Sequence, residues 1–284
     1  MKICDAHTDF LTEIKDEKDR EKYVKSIRKI AGRISCAVFT TNCTMSVLDV
    51  ENFKIEIEKY NKKFHTKLLL SIEDLGFVKT IEELYQLIKL KPINVTLTWN
   101  EKNQFAGGAH SFKGLTELGI KTIKLLEENN ILVDTAHLSR KAFKEFCKIT
   151  TKPIYNSHSN INSLHKHKRN LTDKQIKKIV DSGGFLGLTI YEKFISNDKI
   201  TIRDVALQFD YLIKKFGYKN FGLGTDLYGV KEEFLPVDFK SYFDVEILIE
   251  ELKKLNYSKK IINAIIYKNF KNFLKRRKKP LKED

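Results

Sequence analysis

The sequence predicts an α/β protein built as a (β/α)8 barrel of the TIM type, with extra helices towards its C-terminus. Three observations predict it. Eight short apolar runs end near Ala6, Thr41, Ile72, Thr98, Asp134, Asn156, Ile190 and Gly224; most are separated by stretches of helical periodicity; and the residues at or just past their ends are of metal-binding types. An open doubly wound sheet would set those ends along a line, whereas a closed barrel gathers the first and last strands around one mouth. A length of 284 residues at 42% hydrophobic content suits one large domain, placed at residues 1–274 with a basic tail at 275–284.

The first strand is expected at residues 2–6, leading into Asp5-Ala6-His7-Thr8-Asp9. His7 and Asp9 are two residues apart and so share a face at the strand's end. Charged, helical sequence follows to Lys29, then the apolar run at 34–41. Val47, Leu48, Val50, Phe53, Ile55 and Ile57 suit residues 47–60 to a helix packing one face against a sheet, and the strand at 67–71 delivers Glu73 just past its end. Thr80 and Glu83 form a capping box for the next helix. A strand at 92–97 leads to Thr98-Trp99-Asn100, a polar loop runs from Glu101 to Phe112, and residues 114–129 repeat leucine and isoleucine at helical spacing.

The centre of the pattern is residues 131–160. A strand at 131–133 ends in Asp134-Thr135-Ala136-His137, Ser139 caps a helix, and a strand at 153–155 ends in Asn156-Ser157-His158-Ser159. A β-α-β crossover brings both strand ends out on one side of the sheet, so His137 and His158 can face one site. Beyond the basic loop His165-Lys166-His167-Lys168-Arg169-Asn170, Thr172 and Gln175 cap a helix. Strands follow at 185–190 and 221–223, the latter ending in Gly224-Thr225-Asp226, with helices at 202–216, 242–255 and 258–274.

Composition narrows the function classes. No apolar run reaches the length of a membrane span, and the chain enters its first strand from Met1 with no room for a signal peptide, so a cytoplasmic protein with no membrane partner is expected. Cys4, Cys36, Cys43 and Cys147 lack the spacing of a zinc ribbon or a disulfide scaffold and read as reduced thiols. The net charge of +15 is spread along the chain, and the only dense basic run is 275–279, so no specific nucleic acid is expected.

His7, Asp9, Glu73, His137, His158 and Asp226 are donors for zinc-like ions, and a single tetrahedral catalytic zinc needs fewer ligands. Two ions sharing one carboxylate need about this many. The bland alternatives are a surface acid for Glu73 and a turn carboxylate for Asp226. His65 is read as solvated, His110 as able to face the mouth, and His165 and His167 as either structural or substrate-facing.

Taken together these segments resemble the membrane dipeptidases (renal dipeptidase-like) of the amidohydrolase superfamily, over nearly the whole chain. Asp5 to Asp9 resembles the family's D-x-H-x-D opening, Ser71-Ile72-Glu73 its bridging-glutamate segment, Asp134 to Ser139 its D-x-x-H-x-S, and Ser157-His158-Ser159 its S-H-S. His167 to Asp173 is similar to H-x-R-N-L-x-D, and Gly222 to Asp226 to G-x-G-x-D. The resemblance implies a dipeptidase with two Zn2+ or similar ions: His7, Asp9 and Glu73 on one, Glu73, His137 and His158 on the other, a bridging hydroxide as nucleophile, Asp226 handling the proton and Arg169 holding the substrate carboxylate. Short peptides are the implied substrates, a D-residue at the C-terminal position being one option, and a homodimer one option for assembly. Two departures stand out. Trp99 replaces a histidine thought to polarise the scissile carbonyl, which makes it a candidate substrate-contacting wall, and Tyr228 replaces a second acid, altering the rim of the site.

A dimetal lactonase or phosphoesterase would want several cationic groups or a carboxylated lysine bridge at the mouth, where here Glu73 supplies the bridge. A non-catalytic basic scaffold would need no such donors.

Overall fold

A computed structural model describes residues 2–10, 21, 34–41, 46–64 and 67–276. The helical stretch expected before Lys29 (apart from Glu21), Cys43, His65 and the basic run beyond Arg276 lie outside them.

Eight parallel strands close in sequence order: β1 (Ile3–Thr8), β2 (Ile34–Thr40), β3 (Leu68–Ile72), β4 (Asn94–Thr96), β5 (Leu132–Asp134), β6 (Tyr155–Asn156), β7 (Phe185–Leu188) and β8 (Phe221–Leu223). Closure is made by β1 against β8, with Asp5 opposite Leu223. The barrel expected from the eight apolar runs is therefore present.

Around it lie α1 (Val47–Phe64), α2 (Ile81–Lys89), α3 (Glu117–Glu128), α4 (Arg140–Ile149), α5 (Asp173–Asp181) and α6 (Ile202–Phe216), followed by α7 (Val245–Lys254), α8 (Lys259–Asn263) and α9 (Asn269–Arg276). The capping boxes at Thr80 and Thr172 form as the sequence indicates. Each joins a side-chain acceptor to orphan N–H groups of the first turn.

Where boundaries moved, local hydrogen bonding explains it. α3 starts at Glu117 rather than Gly114, because Glu145 accepts from Leu115 N and Thr116 accepts from Gly119 N. Pro153 has no N–H, and Ile154 N donates to the Ser182 hydroxyl instead of a neighbouring strand, so β6 is confined to two residues. The helix expected at 258–274 contains a π turn, Ala264–Lys268, between α8 and α9. α9 continues to Arg276, past the start of the expected tail.

The buried apolar residues form two clusters. The larger lies between strands and helices; the smaller fills the barrel's interior and joins Cys4, Ala6, Tyr155 and Phe185 to Phe270 and Phe273 of α9. Tyr155 and Phe273 stack with ring centroids 5.5 Å apart, and Phe185 lies 4.9 Å from Phe270. One end of the barrel is thus stopped by aromatic side chains, which leaves the C-terminal end of the strands for polar groups.

Candidate metal centre

Strand geometry sends the donors to that end one by one. His7 is carried on β1 and Asp9 lies just past it; Glu73 follows β3, His137 follows β5, His158 follows β6 and Asp226 follows β8. His137 and Asp226 have positive φ, 68° and 62°, in a region where a non-glycine residue is held only by its surroundings.

Glu73 Oε1 is the focus. It lies 3.1 Å from His137 Nε2, 3.8 Å from His7 Nε2 and 3.9 Å from His158 Nε2. His7 Nε2 also lies 3.4 Å from Asp9 Oδ2 and 3.5 Å from Asp226 Oδ1. Among the described residues two sets of donor atoms each fall within 4.8 Å of one another: His7, Glu73 and His158, and His7, Asp9 and Asp226.

Each imidazole is fixed from behind. His7 Nδ1 is 3.2 Å from the Thr40 hydroxyl, His158 Nδ1 is 2.8 Å from the Ser157 hydroxyl, and His137 Nδ1 is 2.9 Å from Asn100 Oδ1. The amide oxygen of Asn100 only accepts, so His137 carries its proton on Nδ1 and a neutral ring turns the Nε2 lone pair inward. That lone pair meets His158 Nε2 at 2.9 Å and the Glu73 carboxylate at 3.1 Å. Among the described residues Glu73 Oε1, at the centre of these rings, is a buried oxygen with no hydrogen-bond partner, an orphaned acceptor that a cation would satisfy, so the residues fit a metal. Imidazole and carboxylate donors, without thiolate, suit zinc-like ions.

The electrostatics follow from this crowding. Burial pushes the His7 imidazole down, but its hydrogen bond to Asp9 and the charges of Asp9, Glu73 and Asp226 outweigh that and lift it to about 10. Burial raises Glu73, yet the neighbouring His137, His7 and Arg169 bring its carboxyl down to about 2. Burial lowers His137 to about 4, helped by the Arg169 charge. Asp226 is raised well above the usual carboxylate range by burial, with Asp9 and Glu73 adding to it and His7 and Arg169 opposing.

A cavity of about 620 Å³ opens over these groups. Asp9, Glu73, His137, His158, Arg169, Trp99 and Asp226 all line it, and His7 lies at its floor, 1% exposed. Arg169 is buried, with Nη2 2.7 Å from His158 Nε2 and its guanidinium 5.4 Å from the Phe194 ring; among the described residues its Nε has no hydrogen-bond partner. Trp99 is 45% exposed, its ring 6.0 Å from that of His137. His110 and His167 also line the cavity, as does Tyr191, while Tyr228 packs edge-on against Phe10 and is not among the lining residues.

Sequence reasoning did not find the supports Thr40 and Asn100 or the walls Tyr191, Phe194, Lys231 and Phe234. For Asn100 a signal existed, since it follows Trp99 just past the end of β4. For the β7 and β8 loop residues there was none, because an aromatic or lysine in a loop carries no spacing rule.

A family-wide sequence profile described as Membrane dipeptidase (Peptidase family M19) matches residues 4–280. An uncharacterized protein in the pqqA 5' region of Klebsiella pneumoniae is 31% identical over 190 residues, covering 62% of this chain and 69% of that protein. An uncharacterized dipeptidase of Schizosaccharomyces pombe is 31% identical over 175 residues, covering 58% of this chain but only 42% of that protein. The fold superimposes with a TM-score of 0.83 on a metallo peptidase from Rhodobacter sphaeroides liganded with a phosphinate mimic of L-Ala-D-Ala, at 17% identity and with 98% of this chain and 99% of that one covered. At that identity the likeness is one of fold.

Proposed function

The chain belongs to the membrane dipeptidase family, and from that premise we propose that it is a metal-dependent dipeptidase that holds two zinc-like ions and hydrolyses the amide bond of short peptides with a free C-terminal carboxylate. The observation that carries this is Glu73 Oε1, a buried carboxylate oxygen within 3.1–3.9 Å of three imidazole Nε2 atoms. Glu73 would bridge, with His7 and Asp9 completing one site and His137 and His158 the other. Bound there, the ions supply Lewis acidity to the scissile carbonyl and lower the pKa of water between them.

The chain's own residues do the rest. Asp226, on the β8 side of the mouth, would take the proton of the attacking water as a carboxylate and return that same proton to the leaving amine, a return that the burial raising its carboxyl favours. Arg169, on the β6 side, receives the substrate's terminal carboxylate with paired N–H donors, a geometry lysine lacks. Trp99 would present an apolar wall to the substrate where a histidine could donate a hydrogen bond to the carbonyl. A C-terminal D-residue, a homodimer and a cytoplasmic location belong to the same proposal; no helix among the described residues is long and apolar enough to cross a membrane.

Metal analysis of protein purified without chelator should give about two zinc-like ions per chain, and Glu73→Gln should lower occupancy of both. Dipeptide hydrolysis should vanish with chelator and return with zinc. One tightly held ion with Glu73→Gln unaffected would refute the shared bridge.

A further inference from the structure

The cavity over the donor cluster does not end at its rim. A second cavity of about 630 Å³ adjoins it, and His110 and His167 line both. Its walls come from the β4 loop, the first turn of α4 and the loop after β6, so it lies on the side of the mouth that carries His137, His158 and Arg169. Arg140, Lys141, Lys166 and Lys168 line it, and no carboxylate does.

The charge there is not neutralised locally. Some lysines elsewhere are met by nearby acids, as in Lys177 with Asp181 at 2.8 Å, Lys214 with Asp210 at 2.8 Å and Lys254 with Glu251 at 2.6 Å. Among the described residues none of the four cations of the second cavity forms an ion pair; Arg140 donates to the neutral Asn162 Oδ1 at 3.0 Å. At the shared rim Glu101 is met by His110 Nδ1 at 3.0 Å. Like charges around one concavity repel, and an anion entering it relieves that repulsion.

His167 joins the two spaces chemically as well. Its Nδ1 accepts from Arg169 N at 3.2 Å, so in the neutral ring Nε2 carries the proton and is a donor. The same loop that sends the Arg169 guanidinium towards the metal ligands sends Lys166 and Lys168 into the annex. The residue whose carboxylate Arg169 holds is therefore the part of a substrate nearest the annex.

We propose that this basic annex is a specificity subsite for a second anionic group, and that the preferred substrates are dipeptides whose C-terminal residue has an acidic side chain. The proposal rests on the dipeptidase reading and adds to it a substrate class. The flexible lysines supply charge rather than fixed geometry, so the preference is electrostatic and weakens with salt.

The matched pair Ala-Glu and Ala-Gln, each with either configuration at the second residue, differs in one charge and hardly in shape. The zinc-loaded full chain should show kcat/KM about tenfold or more in favour of Ala-Glu at low salt, falling towards unity in about 0.5 M salt. Lys166→Gln with Lys168→Gln should abolish the preference while leaving Ala-Gln turnover as it was. Equal rates for the two peptides at low salt, or a preference the double variant keeps, would overturn the annex while the dipeptidase reading stood. Should the zinc-loaded protein cleave neither peptide, that reading falls, and calorimetric binding decides the annex alone: Ala-Glu bound more tightly than Ala-Gln, with the difference lost in the double variant, supports it, and equal binding refutes it.

Discussion

Asp5 and Asp134 are as buried as any carboxylate at the mouth, yet they are built in the opposite way from Glu73 and Asp226. Asp5 accepts from Thr225 N at 2.9 Å, from the Thr225 and Tyr242 hydroxyls and from His7 N. Asp134 accepts from Ala136 N and Ser157 N, both at 3.0 Å, and from Asn94 Nδ2 at 3.1 Å. Each precedes a histidine of the site by two or three residues and ties down the residue beside another site group: Thr225 beside Asp226, Ser157 beside His158. Glu73 Oε1 and Asp226 Oδ1 instead face imidazole nitrogens over 3 Å away. A carboxylate saturated with short hydrogen bonds is scaffold; one held more than 3 Å from its neighbours is open to a ligand.

That division can be broken most sharply at Asp226. Asp226→Asn should lower kcat by roughly 10²–10⁴-fold, the range for a lost general acid–base group, with metal content and unfolding midpoint unchanged. Near-normal turnover would move Asp226 into the scaffold set. Asp5→Ala should act in the other currency, since the buried donors of Thr225 and Tyr242 lose their acceptor. A loss of about 2–4 kcal/mol in urea-induced unfolding is expected; unchanged stability with lost metal would collapse the distinction.

Arg169 tests the substrate end of the same mouth. Arg169→Met, or amidation of the peptide's C-terminus, should each lower kcat/KM by about 10- to 150-fold, and the two together no further, because both remove one charged contact of roughly 1.5–3 kcal/mol. Amidated and free peptides cleaved alike would dismiss it. A smaller effect is expected one layer back. Ser157→Ala frees the His158 ring to turn and should weaken zinc binding about 10- to 100-fold in competition with a chelating dye, without changing the protein's stability in its metal-free state by more than about 1 kcal/mol.

Much of this was legible in the residues because parallel strands all end on one side: once eight apolar runs were counted, every polar residue just past a run had a common destination. His7, Asp9, Glu73, His137, His158 and Asp226 come together for that reason alone. What stayed hidden depended on contacts between segments far apart in the chain. Thr40 behind His7 and Asn100 behind His137 are ordinary polar residues until closure sets them 3.2 and 2.9 Å from the rings. The π turn at Ala264–Lys268 and the two-residue β6 were equally illegible, since periodicity fixes an element's type better than its hydrogen-bond partners.

The aromatic stopper formed by Phe270 and Phe273 has a consequence for how the protein is made. Tyr155 and Phe185 wait on β6 and β7 for side chains that leave the ribosome some 85 residues after Phe185 itself. Until then the barrel's interior is open at that end, and the Tyr155 hydroxyl that reaches the carbonyl of Ala6 at 3.1 Å has no roof over its ring. A chain ending after β8 would hold every proposed metal ligand and lack the two rings that cover Tyr155 and Phe185, so the last helix, rather than the last strand, completes the packing of the barrel's interior.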